Sequence, residues 1–232
     1  MAIKKFDAKI SKIVDLSSTV RHFEIDLGQE FDYKAGQFVN VAFDDNGTLL
    51  RRPYSIASNP NKSSKIELCI KLVEGGQVTP KLFEKKEGDS LQIMGPLGMF
   101  TIDKAEKEKV VLIGTGTGLA PLRGMVNDLL SKQVEKEIIL IFGCRHEEEI
   151  LYKNEFEKLE TENSNFKYIK IVSRPTDTWE GRTGHVQDNF DRVDPLNSSV
   201  FICGLPAMFD GAKEKLLSLG VDEKSIHHEV FR

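Results

Sequence analysis

Val110-Val111-Leu112-Ile113-Gly114-Thr115-Gly116-Thr117-Gly118 joins an unbroken apolar run to a cluster of glycines, and Leu119-Ala120-Pro121-Leu122 follows at once. An apolar run without polar alternation is the pattern of a parallel strand buried on both faces. Leu122, Met125, Val126, Leu129 and Leu130 then share one helical stripe, with Pro121 near the helix start, where its missing N–H costs little. A second such run, Ile138-Ile139-Leu140-Ile141-Phe142, comes next. Beyond it the pattern predicts a helix over 154–159, strands over 168–172 and 200–203, and a helix with Phe209, Ala212, Leu216 and Leu219 on one face, stopped by Gly220. Strand, helix, strand in repetition predicts a doubly wound α/β domain on a parallel sheet.

Upstream the rhythm is different. In Lys65-Ile66-Glu67-Leu68-Cys69-Ile70-Lys71-Leu72 the apolar side chains at 66, 68, 70 and 72 share one face, as in a half-buried antiparallel strand. Stretches over 10–14, 22–25, 37–43 and 90–94 read alike, separated by turns such as Asp45-Asn46-Gly47 and Glu87-Gly88-Asp89. An antiparallel β-barrel or sandwich is the natural closure. The charged, apolar-poor connector 103–109 marks the change, so two domains are expected, 1–102 and 103–232.

Composition narrows the function classes. The chain has 232 residues, 40% of them hydrophobic, and a net charge of -4 with no strong clustering, which favours neither nucleic acid nor an acidic membrane surface. Its three cysteines, Cys69, Cys144 and Cys203, suit a reducing compartment and are too few for a cluster on four protein thiolates. Polar residues follow Met1 and Ala2 almost immediately and no apolar run could span a bilayer, so a cytoplasmic protein is expected. His22, His146 and His185 are dispersed, and His227 and His228 would point to opposite faces of a strand, so no metal site is implied. The run His146-Glu147-Glu148-Glu149 reads as a solvated helix start.

The glycine cluster sits where backbone N–H groups and a helix start can hold a pyrophosphate; the alternative is a tight turn that holds nothing. It departs from the ordinary dinucleotide fingerprint, which has a glycine where Leu119 stands and an acid after the next strand, where this chain has Gly143-Cys144-Arg145. Arg145, with Ser173 and Arg174 ending the following strand and Arg182 soon after, offers donors suited to a 2′-phosphate, which favours NADP(H) while leaving NAD(H) possible; each arginine singly also reads as a solvated charge. Arg51-Arg52-Pro53-Tyr54-Ser55-Ile56-Ala57-Ser58 combines cations, an aromatic plane and hydroxyls. It suits a phosphate-bearing flat ring, or equally a strand with a basic end, and spacing does not decide.

Arg52-Pro53-Tyr54-Ser55 resembles the Arg-x-Tyr-Ser flavin motif of the ferredoxin-NADP reductase superfamily, and the similarity continues in order along the chain. Gly76-Gln77-Val78-Thr79 resembles that family's flavin-phosphate turn, Gly95-Pro96-Leu97-Gly98-Met99-Phe100 its exit from the barrel, and residues 114–123 its nucleotide loop. Cys203-Gly204-Leu205-Pro206-Ala207-Met208 resembles its nicotinamide segment, with Leu205 in place of the commoner Pro, and Glu229-Val230-Phe231-Arg232 its plant-type ending. The resemblance implies a flavin-binding barrel followed by an NAD(P)-binding domain. Arg52 would bind the FAD pyrophosphate, Pro53 and Tyr54 would pack on the ring, Ser55 would approach N5, and Ile70 and Lys71 would line the flavin. Gly76, Val78 and Thr79 would hold phosphate; Gly116, Thr117, Cys203, Gly204 and Met208 would hold the dinucleotide. Phe231 would shield the flavin, more loosely for being Phe followed by Arg232, and Ser55, Cys203 and Glu229 would form the catalytic set around the hydride path, Glu229 exchanging protons with solvent. As residues alone, Phe231 also reads as a core aromatic on a final strand and Glu229 as a surface carboxylate.

The resemblance further implies an enzyme, a ferredoxin-NADP reductase-like oxidoreductase moving hydride between NAD(P)H and bound FAD. A separate ferredoxin or flavodoxin would be the electron carrier, and a monomer is expected. The competing expectations are an NAD(P)H:flavin reductase that treats flavin as a substrate, and an electron-transfer subunit of a larger complex.

Overall fold

The computed structural model describes residues 3–61 and 63–231, with the backbone alone at 191 and 192. Met1 and Ala2, which open the chain, and Arg232, invoked for looser shielding, lie outside the described residues. Six strands, β1 (Lys4–Asp15), β2 (Val20–Asp26), β3 (Phe38–Asp45), β4 (Thr48–Ser55), β5 (Lys65–Lys71) and β6 (Ser90–Leu97), form one antiparallel sheet in the order β4-β3-β6-β1-β2-β5. The sheet curls until its two edges meet at a bridge between Ile56 and Leu68. Period-two alternation directs Phe6, Ala8 and Ile10 of β1, Phe23 and Ile25 of β2, and Ile66, Leu68 and Ile70 of β5 into one core. The expected half-exposure of β5 does not hold throughout: Cys69, on its other face, is buried as well, because the second half of the chain packs there. A short helix, α1 (Thr79–Glu84), with Pro80 in its first turn, stands where the sequence showed only a turn.

The second sheet is entirely parallel. Its strands are β7 (Lys109–Thr115), β8 (Glu137–Cys144), β9 (Phe166–Val172), β10 (Arg182–Thr183), β11 (Ser198–Gly204) and β12 (Ile226–Val230), in the order β10-β9-β8-β7-β11-β12. Helices α2 (Leu119–Ser131), α3 (Lys153–Glu162) and α4 (Pro206–Ser218) connect them. Both faces are covered: Val110, Leu112, Ile138 and Leu140 meet the helices α2 and α3, while Val111, Ile113, Ile139 and Ile141 share a core with Ala212 and Leu216 of α4. That is why β7 and β8 read as unbroken apolar runs. α3 exceeds its predicted span at both ends, starting after Tyr152, which is held at a left-handed φ of 53°. The run 146–149 does not open a helix: Glu147–Glu149 is a single 3-10 turn, and the Glu149 carboxylate accepts the N–H groups of Arg145 and His146.

From β7 the chain passes through α2 to β8 on one side, whereas β11 lies on the other. The carboxyl ends of β7 and β11 therefore flank the point where strand order reverses, the usual place for a ligand in an open α/β sheet. The two halves share a core as well, in which Val20, Ala35, Ala57, Cys69 and Phe100 of the first pack with Leu119, Leu122 and Met125 of α2.

Candidate active site

At the reversal point the backbone of one loop rests on the end of the neighbouring strand. A Cβ on Gly118 would lie 2.3 Å from the Cys203 carbonyl oxygen and 3.0 Å from the Gly204 Cα, so only glycine permits this approach. Gly116 takes φ +54° with open space where a Cβ would stand, which leaves room above the loop. Residues 116–118 form a 3-10 turn leading directly into α2, and Thr117 is half-buried within it. On the other lip, a Cβ on Gly204 would meet the Met208 methyl at 2.5 Å and the Thr115 hydroxyl at 2.6 Å. Gly116, Thr117, Cys203, Gly204 and Met208, which the sequence placed together only by resemblance, thus lie together at the carboxyl ends of β7 and β11.

β4 brings the other motif to these strand ends. Ser55, its last residue, is buried, and its hydroxyl donates to Glu229 Oε2 at 3.0 Å across 174 residues of chain. Glu229 lies in register with Cys203 on the adjacent strand, and the Phe231 N–H donates to the Gly204 carbonyl at 2.9 Å while its ring packs on the shared core. Ser55, Cys203, Glu229 and Phe231 therefore form one neighbourhood. Burial raises the Glu229 carboxyl above its ordinary value, against the lowering effect of the Ser55 hydrogen bond. Burial, reinforced by Glu229, pushes the Cys203 thiol well up, so it stays protonated and is no nucleophile.

Tyr54 packs against the barrel core with its hydroxyl buried and without a hydrogen-bond partner, and burial pushes that hydroxyl up to about 12. Arg52 and Pro53 are exposed on β4, where, among the described residues, the Arg52 guanidinium reaches only the carbonyl of Arg51, at 2.9 Å. Ile70 is buried at the end of β5 and Lys71 is exposed beside it. The Gly76 N–H donates to the Val73 carbonyl, Val78 is buried at the start of α1, and the Thr79 hydroxyl accepts the Val73 N–H at 2.8 Å. The Thr79 hydroxyl also donates to the Val73 carbonyl at 3.4 Å; these groups fix a turn, and the Thr79 side chain is half-buried.

The remaining predicted residues gather at the far end of the second sheet. The Ser173 N–H donates to the Cys144 carbonyl at 3.0 Å and the Arg174 N–H to the Arg145 carbonyl at 2.8 Å, clamping the ends of β8 and β9 together. Arg182, on β10, pairs with Ile171 of β9, so it stands at the same edge. Its Nη1 is buried without a partner, whereas Arg145 and Arg174 are exposed. Among the described residues three buried side-chain atoms lack partners, and two of them, on Tyr54 and Arg182, belong to residues marked for ligand binding; the third, the Tyr168 hydroxyl, lies under α3. A buried polar group without a partner is costly unless something else satisfies it.

One group escaped the sequence. Arg123, inside the nucleotide-loop motif but given no task, is almost buried and pairs with Glu155 of α3 at 2.8 Å, with Glu67 of β5 and with the Ala57 carbonyl at 2.8 Å. Its guanidinium lies over the Tyr152 ring, whose hydroxyl meets His22 Nδ1 at 3.1 Å. Burial pushes the His22 imidazole down, against the pull of Glu67. Only the placement of α2 against β2 and β5 brings these residues together, and no local pattern announces it.

Known proteins share this architecture. The oxidoreductase FAD-binding domain family matches residues 7–102, and the oxidoreductase NAD-binding domain family matches residues 112–214. Ferredoxin-NADP reductase B of Sorangium cellulosum is 35% identical, with 97% of each chain covered. Phenol hydroxylase P5 protein of Acinetobacter pittii is 33% identical over 99% of this chain, which spans 66% of that longer protein. Among solved structures, the Amycolatopsis cytochrome P450 reductase GcoB superposes with a TM-score of 0.90 at 28% identity, over 99% of this chain and 70% of that one.

Proposed function

This chain belongs to the ferredoxin-NADP reductase superfamily, and on that basis we propose that it draws hydride from NADPH onto a tightly held FAD and passes the electrons to a separate ferredoxin or flavodoxin. It is a flavin-dependent NAD(P)H oxidoreductase with FAD- and NAD(P)-binding halves. In our reading residues 1–102 serve the flavin and 103–232 the dinucleotide, and the protein works as a cytoplasmic monomer. No helix among the described residues is long and apolar enough to cross a membrane.

The residues present fit both groups. The unpartnered Tyr54 hydroxyl and the exposed Arg52 fork suit a flavin with its pyrophosphate, and the glycine loop with the unpartnered Arg182 Nη1 suits a phosphorylated dinucleotide. When bound, FAD supplies the change from two-electron to one-electron chemistry. The protein's own work is binding, orientation and proton placement. Arg52, Gly76, Val78 and Thr79 hold phosphate, Pro53, Tyr54, Ile70 and Lys71 bound the ring, and Phe231 covers its exposed face. Gly116, Thr117, Gly204 and Met208 seat the nicotinamide side, while Arg145, Ser173, Arg174 and Arg182 take the 2′-phosphate. Cys203, held protonated, keeps negative charge away from the hydride path, and Glu229 holds the Ser55 proton at Oε2.

The observation that carries this reading is the Ser55–Glu229 hydrogen bond, which draws the flavin motif and the last strand together beside the nucleotide loop. The test is reduction of the purified yellow protein by NADPH and NADH in stopped flow, with ferricyanide turnover alongside. Faster reduction by NADPH, lost on Arg174→Ala and Arg182→Met, is expected. A colourless preparation that reduces free flavin would replace it with the flavin-reductase reading, and equal rates with NADH would remove the 2′-phosphate role. The likeness to a phenol hydroxylase protein supports a second acceptor, an oxygenase component, which a carrier-reduction assay separates from ferredoxin.

A further inference from the structure

The outer face of the β2–β5 ladder carries an arrangement that neither half satisfies alone. Glu24 and Glu67 stand directly opposite each other, two like charges in register. Glu24 is served within its own half by Lys65 at 2.7 Å and Ser11 at 2.6 Å. Glu67 instead meets Arg123, which belongs to α2 in the other half. The same guanidinium is fixed from behind by both carboxylate oxygens of Glu155, at 2.8 and 3.0 Å, and lies 4.5 Å from the centre of the Tyr152 ring. An arginine held by two planar partners and a ring has little freedom to swing.

What Arg123 grips is the segment just after the flavin motif. Its Nη1 donates to the Ala57 carbonyl, two residues beyond Ser55. Next to it, a Cβ on Gly124 would come within 2.9 Å of the Ser58 carbonyl oxygen and 3.2 Å of that of Ile56, so helix and segment touch backbone to backbone. Further along α2, the Asn59 amide donates to Ser131 Oγ at 3.0 Å. α2 therefore lies along residues 56–59 as along a rail, and its first turn opens from the glycine loop at 116–118. Because a helix is stiff along its axis, any slip of α2 on that rail moves the loop by the same amount relative to Ser55.

We propose that Arg123 is a positioning residue for hydride transfer: through Glu67 and the Ala57 carbonyl it sets the register between the flavin motif and the nucleotide loop. The proposal rests on the functional reading above. It differs from a role in simple cohesion because hydride transfer falls steeply when the reacting groups are displaced, while binding of each group within its own half does not.

The test compares Arg123→Gln, Arg123→Lys and Glu67→Gln in the full-length holoprotein. Glu67→Gln decides the matter if Arg123→Gln fails to fold, since it removes only the cross-half charge and leaves the guanidinium with Glu155. Flavin content and thermal midpoint are measured first. Then come the limiting rate of flavin reduction at saturating NADPH, the NADPH dissociation constant, the long-wavelength absorbance of the flavin–nicotinamide complex, and reoxidation of the reduced protein by ferricyanide, which needs no nicotinamide alignment. In Arg123→Gln the limiting rate is expected to fall roughly 10- to 100-fold and the long-wavelength absorbance to weaken, with the dissociation constant changed by less than about 3-fold and ferricyanide reoxidation unchanged. Glu67→Gln shifts the same way by less, and Arg123→Lys recovers part of the rate. Unchanged limiting rates in both Gln variants, or a fall matched by equal loss of ferricyanide reoxidation or of flavin, would overturn the proposal. A wild-type protein that NADPH does not reduce would overturn the functional reading as well, and so is distinguishable.

Discussion

Gly118→Ala tests whether the reversal point is built as tightly as its geometry requires. The backbone at Gly118 is ordinary, φ -59° and ψ -14°, so the substitution brings no conformational strain of its own. What the new methyl meets is backbone: Cys203 O at 2.3 Å, Cys203 C at 2.6 Å and Gly204 Cα at 3.0 Å. None of these is the free end of a side chain, so relief requires the loop and β11 to part by about 1 Å. Overpacking of this kind costs about 1–3 kcal/mol. For a chain of this size each kcal/mol lowers Tm by about 2–4 °C, so a drop of roughly 2–12 °C is expected by circular dichroism. A 1 Å displacement at the lip also lowers the NADPH-driven reduction rate by about 100-fold. Gly116→Ala is the control, since its added methyl meets open space and the cost, about 1–2 kcal/mol, is left-handed backbone strain alone. Wild-type Tm and reduction rate in Gly118→Ala would refute the reasoning.

Three further outcomes are expected. Tyr54→Phe removes a buried hydroxyl that has no partner, so the flavin-free protein should gain up to about 1–3 kcal/mol in urea unfolding while the holoprotein loses flavin more readily; equal effects on both would show that the hydroxyl does not serve the ligand. Glu229, with its carboxyl raised by burial, lends stability that is complete below the ordinary carboxyl range and lost as pH rises through its higher folded value. Glu229→Gln should therefore gain on the wild type as pH rises through that window, and parallel stability curves would contradict the assignment. Burial pushes the thiols of Cys69 and Cys144 up to about 12 and that of Cys203 well above its ordinary value, so the native protein should react slowly with a disulfide reagent at pH 8 and the unfolded chain at all three cysteines; a fast native thiol would be inconsistent with this packing.

Much of this molecule was legible in the chain. Periodicity alone separated an alternating half from one of unbroken apolar runs, because β5 has a single core face for its leucine and isoleucines whereas β7 is covered on both sides. The loop at 114–118 was readable from its glycines, of which Gly118 answers to the close approach to Cys203 and Gly116 to a left-handed backbone. Contacts across long separations were not readable from spacing. The grouping of Ser55 with Glu229 was reached only through resemblance, without the bond between them, and the Arg123 group escaped even that, since Glu67, Ala57, Tyr152 and Glu155 are drawn together by how α2 docks. α1 and β10 were missed for a different reason: they are six and two residues long, too short to show a period.

The core shared between the halves bears on how such reductases can be recombined. A chimera cut in the charged connector 103–109 would look clean in sequence, yet it would pair a new α2 with the old Val20, Ala35, Ala57, Cys69 and Phe100, and with a Glu67 awaiting its arginine. A transplantable unit therefore has a surface as well as a break point. To move the dinucleotide half onto another flavin half, the engineer must carry the docking side of α2 and its counterpart on β2, β5 and residues 56–59 together, or expect hybrids that bind both ligands and exchange little between them.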